Sequence, residues 1–120
     1  MSELIRVLGN AALSSASYVD VYEVAPLIGP DGAMGNIPQT VVGSIILCET
    51  AGSTATISVR VIPKGEGVGD SSHNILQVFP LTANQTRIIS PGITLSTEDK
   101  IKAAAATGAA NIFIFGSEYK

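Results

Sequence analysis

The sequence predicts an all-β chain: a single antiparallel β-sandwich, jelly-roll-like, with an extended N-terminal arm over residues 1–17 and the sandwich over residues 18–120. Two observations carry that expectation. Apolar and polar residues alternate with a period of two in several short runs, the repeat of a strand with one face buried. Clusters of Gly, Pro, Asn and Ser separate these runs at roughly 8 to 12 residue spacing, as in sandwiches and barrels.

The arm, "SELIRVLGNAALSSAS", precedes the first firm strand. Leu4, Ile5, Val7 and Leu8 are apolar with little room in a core that the later strands already furnish, so they are the candidate inter-subunit contacts, lying on or adding a strand to a neighbour. An ordinary edge strand of the same sandwich is the competing reading. "YVDVYEV" at 18–24 sets Val19, Val21 and Glu23 on one face and Tyr18, Asp20, Tyr22 and Val24 on the other. The next stretch, "APLIGPDGAMGNIPQ", holds three prolines and three glycines in 15 residues and reads as a long loop spanning residues 27–39.

"TVVGSIILCE" is almost continuously apolar and β-branched, which predicts a central strand buried on both faces. After the turn "AGST", the run "ATISVRVI" alternates Ala55, Ile57, Val59 and Val61 against Thr56, Ser58, Arg60 and Ile62, with the first set expected in the core. "PKGEGVGDSS" is a second loop, followed by strands in "HNILQVFPL", "TRIIS" and "NIFIFGSEY". "PGITLSTEDKIKAAAATG" is ambiguous. Ser96 could cap a helix over the alanine-rich run, or the acidic turn Ser96 to Asp99 could reverse the chain into a strand starting at Ile101. The strand context favours the second.

Composition narrows function. Of 120 residues 46% are hydrophobic and only 14% charged, against roughly 25% charged in ordinary soluble domains, so much of the surface is neutral or covered by other chains. Net charge is −3, and the seven Lys and Arg are scattered singly, so no nucleic acid and no membrane surface is expected as a partner. No apolar run approaches the roughly 20 residues that span a bilayer, and no export signal is expected. Cys48, alone, is read as a buried inert thiol, and Asn84-Gln85-Thr86 as a turn rather than a glycosylation site.

Catalytic constellations are poorly supplied. His73 is the single histidine, and Ser71 and Ser72 adjoin it in sequence where side chains diverge, so no nucleophile and base pair is indicated and His73 reads as a solvated loop end. "KGEGVGD" lacks the spacing of a phosphate-binding loop. Glu66, Asp70 and His73 share one loop without forming a ligand set, and adjacent Glu98 and Asp99 diverge. No enzyme, metal or cofactor is expected.

Four blocks together resemble a family. "IRVLGNAA", "VVGSIILCETAGSTATISVRVIPKG", "FPLTANQTRIISPGITLSTEDKIKA" and "ANIFIFGSEY" are similar to small virion structural proteins of tailed bacteriophages, especially cyanophages and marine phages, over residues 4–119. The shared elements are "C-x-x-x-G-x-x-A-T" at Cys48 to Thr56, "L-x-A-N-x-T" at Leu81 to Thr86, "GITL" at Gly92 to Leu95 and "FG-S-E" at Phe115 to Glu118. The resemblance implies a β-sandwich, with a strand after Asp99. It also implies a non-enzymatic capsid decoration or cement protein on the virion surface, assembled in the host cytoplasm. Its partners would be the major capsid protein or other virion proteins and further copies of itself, a trimer being one form. A tail, neck or fibre component is the alternative.

Overall fold

The computed structural model describes residues 3–14, 17–25, 39–67 and 69–119. Nine strands lie among them: β1 (Glu3–Leu13), β2 (Val19–Glu23), β3 (Gln39–Glu49), β4 (Ala55–Ile62), β5 (Asn74–Leu81), β6 (Thr86–Ile89), β7 (Ile93–Leu95), β8 (Lys100–Thr107) and β9 (Ala110–Tyr119). The expected long loop falls outside the described residues, apart from Gln39, which opens β3.

The topology is that of one long hairpin rolled up. β4 pairs β5, β3 pairs β6 and β7, β2 pairs β8 and β1 pairs β9, all antiparallel and nested around the tip between β4 and β5. Rolling brings β9 against β3 and β8 against β4. The result is a sheet of order β1-β9-β3-β6, with β7 also on β3, packed on a sheet of order β2-β8-β4-β5. These are here called sheet A and sheet B. The interleaving is that of a jelly roll, as the sequence predicts. β6 and β7 share one strand position, split where Pro91 cannot donate to the ladder and Gly92 turns at φ +64.

The core between the sheets is built from alternate residues. Val42, Ile45 and Leu47 of β3, Ile112 and Ile114 of β9, Ala55, Ile57 and Val59 of β4 and Ile101, Ala103 and Ala105 of β8 are all buried. The alanine run is therefore a strand. Glu98 sits at φ +64, a left-handed conformation that no helix passes through, and the Asp99 carboxylate accepts from the backbone N–H groups of Ser96 and Lys64 at 2.9 and 3.0 Å. That turn fixes β8 in register with β4, and burial overrides the helix propensity of alanine.

Several expectations are corrected by bulges and by the sheet's outer faces. β2 bulges between Asp20 and Tyr22, so Val21 and Tyr22 are both buried and the strict alternation breaks. In β4, Val61 is half-buried while Ile62 is buried on the opposite face, covered by the glycine loop. A β-carbon on Gly69 would lie 3.0 Å from its side chain. β3 is not buried on both faces. Its inner residues are sealed, but Val41 is 37% exposed and Ile46 half-exposed on the outer face.

Residues 3–13 do not extend from the sandwich as an arm. They pair along the whole of β9, from Glu3 opposite Tyr119 to Leu13 opposite Ala110, and form the edge strand of sheet A. The backbones of Leu4 and Ile5 lie opposite Glu118 and Ser117, while their side chains are outside the described ones. Leu8 packs on the core of its own chain at a bulge, and Val7 is exposed. The physical reason is that pairing with β1 satisfies the backbone groups on the side of β9 away from β3.

Candidate interaction surface

Side chains on one strand face alternate, and Cα partners in the register share a face, so the outer surface of each sheet can be written as rows crossing the strands. On sheet A one row runs Asn10, Phe113, Ile46, Ile88. The row beside it runs Val7, Phe115, Ser44. The Phe113 and Phe115 rings stack with centroids 6.5 Å apart. Ile88 is 66% exposed and Val7 47%. From Val7 to Ile88 these rows hold no Asp, Glu, Lys or Arg among the described side chains. Cys48 belongs to the next row with Asn111 and Thr86, half-exposed rather than buried.

Sheet B presents charge across its middle, with Ile75 and Val78 of its β5 edge 40% and 56% exposed. Its corresponding row runs Asp20, Lys102, Arg60, Asn74. Lys102 Nζ lies 2.7 Å from Asp20 Oδ1, and Arg60 Nε donates to Asn74 Oδ1 at 2.8 Å while its guanidinium covers the Tyr18 ring at 3.8 Å. The hydrogen bond from Lys102 holds the Asp20 carboxyl below its usual value. Charge on this face is satisfied within the face.

Two buried carboxylates pin the ends of β3. At its C-terminal end Glu49, 2% exposed, accepts from the backbone N–H groups of Asn84, Ala51 and Gly52 at 2.8, 2.7 and 2.9 Å. The Asn84 contact, joined by those of Ala51, Gly52 and Ser53, lowers the Glu49 pKa. Gly52 at φ +78 and Asn84 at φ +59 supply the left-handed turns that aim those donors. At the other end Glu118, buried, accepts from the Tyr22 hydroxyl at 2.6 Å and faces the Arg6 guanidinium at 2.6 Å. Tyr22 also meets the buried Thr40 hydroxyl at 2.7 Å. Burial, then the Glu118 contact, pushes the Tyr22 phenol up to about 12. Sequence reasoning assigned neither carboxylate a role, although both lie inside the recognised blocks: Glu49 in "C-x-x-x-G-x-x-A-T" and Glu118 in "FG-S-E".

The titratable loop groups do not converge. Ser72 Oγ donates to Asp70 Oδ1 rather than approaching His73, and these contacts lower the Asp70 pKa. His73 Nδ1 accepts the Asp70 N–H at 3.0 Å, leaving Nε2 toward Glu66 at 3.8 Å. The ring is folded into its own loop rather than solvated, its side chain 16% exposed. Glu98 pairs with the Lys64 ammonium at 3.0 Å, while the Asp99 carboxylate takes the Lys64 backbone N–H. An open cleft of about 340 Å³ beside this pair is lined by Glu23, Lys64, Glu98 and Lys100, charges of both signs. Among the described residues no three His, Cys, Asp or Glu side chains are grouped to hold a metal ion. No helix among them is long and apolar enough to cross a membrane.

No family model matches the chain. No curated protein matches it either. Among solved structures, the Drosophila NLP-core, whose structure concerns pentamer formation and histone binding, is 18% identical with a TM-score of 0.50, over 95% of this chain and 99% of that one. A chain of infectious bursal disease virus, Gt strain, is 8% identical with a TM-score of 0.49, over 97% of this chain and 31% of its own length. The Gx strain gives 9% and 0.43, over 98% and 30%. This chain thus spans about a third of those virus chains. At 18% identity the likeness to the NLP-core is one of fold.

Proposed function

We propose that this protein is a non-enzymatic virion structural protein of a tailed bacteriophage, a capsid decoration or cement protein that binds the outside of the shell and stabilises it. One observation carries the reading: the uncharged outer face of sheet A, where Val7, Ile46 and Ile88 leave apolar surface beside Phe113 and Phe115. A face with no charge to orient a ligand and no convergent polar groups suits contact by shape and burial with another protein. The four sequence blocks support the class. Their marked residues serve turns, a bulge and carboxylate pins, which fits structural rather than catalytic signatures. The NLP-core shows that a chain of this fold and length can assemble with itself, consistent with homo-oligomeric use.

A tail, neck or fibre component is the second reading, since the same face would serve there. Electron micrographs of particles labelled with antibody to this protein decide between them. Label over the shell is expected. Label confined to the tail or neck selects the second reading, and purified particles lacking the protein overturn both.

A further inference from the structure

We infer that the free edge of β1 is the seam along which two copies of this chain join, β1 pairing antiparallel with β1 of a second copy so that sheet A continues from one subunit into the next. The inference rests on the homo-oligomeric part of the reading above and not on its virion part. A sheet edge is a row of unpaired N–H and C=O groups, and folded proteins ordinarily blunt it with short strands, bulges, proline or charge. Three of the four edges here are blunted. β2 is 5 residues long, bulged, and carries Asp20 and Glu23. β5 has two register shifts against β4, Pro80 near its end and Val78 at φ +50, a conformation hostile to a β-branched residue. The β6–β7 edge is cut by Pro91 and carries Arg87.

β1 has none of this along its second half. It is 11 residues long, contains no proline, and has no charge from Val7 to Leu13. Its one bulge lies between Val7 and Gly9, after which pairing with β9 runs unbroken from Gly9 to Leu13. Among the described residues no strand pairs with its other side. β2 lies beneath it rather than beside it: a β-carbon on Gly9, pointing to the inner face, would collide with the Val21 carbonyl oxygen. A dyad near Asn10 sets each Arg6 opposite the end of the partner strand rather than opposite the other Arg6, so like charges do not face each other. The same pairing joins the Phe113 rows of the two copies into one apolar face.

Sedimentation equilibrium of the purified chain tests this in the absence of any virion. Wild type is expected to show a concentration-dependent doubling of its 12.3 kDa mass. The variant Asn10→Lys/Ala12→Lys, at exposed outward positions, is expected to stay at the single-chain mass and to melt like wild type at concentrations where wild type is also single. The control Ile75→Lys on the blunted β5 edge is expected to double like wild type. A folded double variant that still doubles, or a wild type that stays single at every concentration, overturns the inference.

Amide exchange of wild type decides the matter should the variant not fold. In a free edge strand β9 protects alternate amides of residues 9–13 and the rest exchange freely. Pairing is expected to slow the rest by about 10-fold or more as concentration rises. Intervening amides that exchange freely at all concentrations also overturn it. Label over particles with a single-chain mass in solution would refute the seam and leave the virion reading standing, and the reverse result would do the opposite.

Discussion

The two outer faces of the sandwich are built on the same strand geometry and spend their side chains differently. Across sheet B the row Asp20, Lys102, Arg60, Asn74 closes on itself through an ion pair, a hydrogen bond and a stacked tyrosine. Across sheet A the row Asn10, Phe113, Ile46, Ile88 leaves apolar surface to water. A face whose polar groups are mutually satisfied asks nothing of a partner. One that exposes Ile and Val beside two aromatic rings is stabilised by being covered, by roughly 25 cal/mol for each Å² removed from water. Among the described side chains, no charge falls in the Val7 and Ile88 rows of sheet A's outer face, so the composition that first suggested covered surface has a location.

The comparison presupposes a shared core, and the largest expected effect breaks it. Val59 is 0% exposed between the sheets. Val59→Asp is expected to abolish cooperative melting, since an unpaired buried carboxylate costs several kcal/mol against a total of roughly 5–15 kcal/mol. A soluble variant with a sharp melting transition would show that the two faces do not stand on one core.

A smaller effect is expected where the sheets are tied together at one end. Tyr22 of sheet B reaches Glu118 and Thr40 of sheet A. Tyr22→Phe removes that tie and leaves two buried polar groups short of a partner, at a cost of about 1–3 kcal/mol. Because the phenol is raised from 10.0 to about 12, the neutral form is favoured by the folded state. Its contribution is therefore fully present below pH 10 and is lost as pH rises from 10 to 12, on the order of 2 kcal/mol. Urea unfolding at pH 9 and pH 11.5 reads this as a difference between wild type and Tyr22→Phe that shrinks at the higher pH. A difference that stays constant would mean that neither burial nor Glu118 favours the neutral phenol in the folded state.

Most of the fold was legible in the sequence. The period-two runs at 55–62 and 111–115 and the turn residues around them are local signals, and the strands they predict form. The sandwich class follows from short strands with turns between them, although nothing local says which strand meets which. What was not legible has a common cause. Bulges at Val21, Leu8 and Gly43 shift alternation by one residue, and a bulge depends on the partner strand as much as on its own sequence. The apolar run at 40–49 predicted burial on both faces. Periodicity reports what a side chain is suited to touch, not whether the partner belongs to the same chain, so an interaction face and a doubly buried strand look alike. Glu49 and Glu118 escaped notice as pins because their partners are remote in sequence, Asn84 lying 35 positions from Glu49 and Tyr22 lying 96 from Glu118, with Arg6 farther still.

The smallest expected effects on stability separate the two faces most cleanly. Asp20→Asn weakens one ion pair on sheet B whose carboxylate is exposed and whose ammonium is largely covered, so it is expected to cost about 1 kcal/mol, to lose part of that effect at high salt, and to leave partner binding unchanged. Ile88→Ser on sheet A touches a side chain already 66% exposed, so melting is expected to move by no more than about 0.5 kcal/mol. Binding is another matter. If a partner covers this row, the isoleucine contributes roughly 1.5–3 kcal/mol of burial in the complex, and its loss is expected to weaken binding to particles about 10-fold or more. Thermal melts of both variants beside binding to particles stripped of the protein give the four numbers needed. If Ile88→Ser binds as tightly as wild type while Asp20→Asn does not, the roles of the faces are reversed, and the charged row of sheet B becomes the surface that meets the partner.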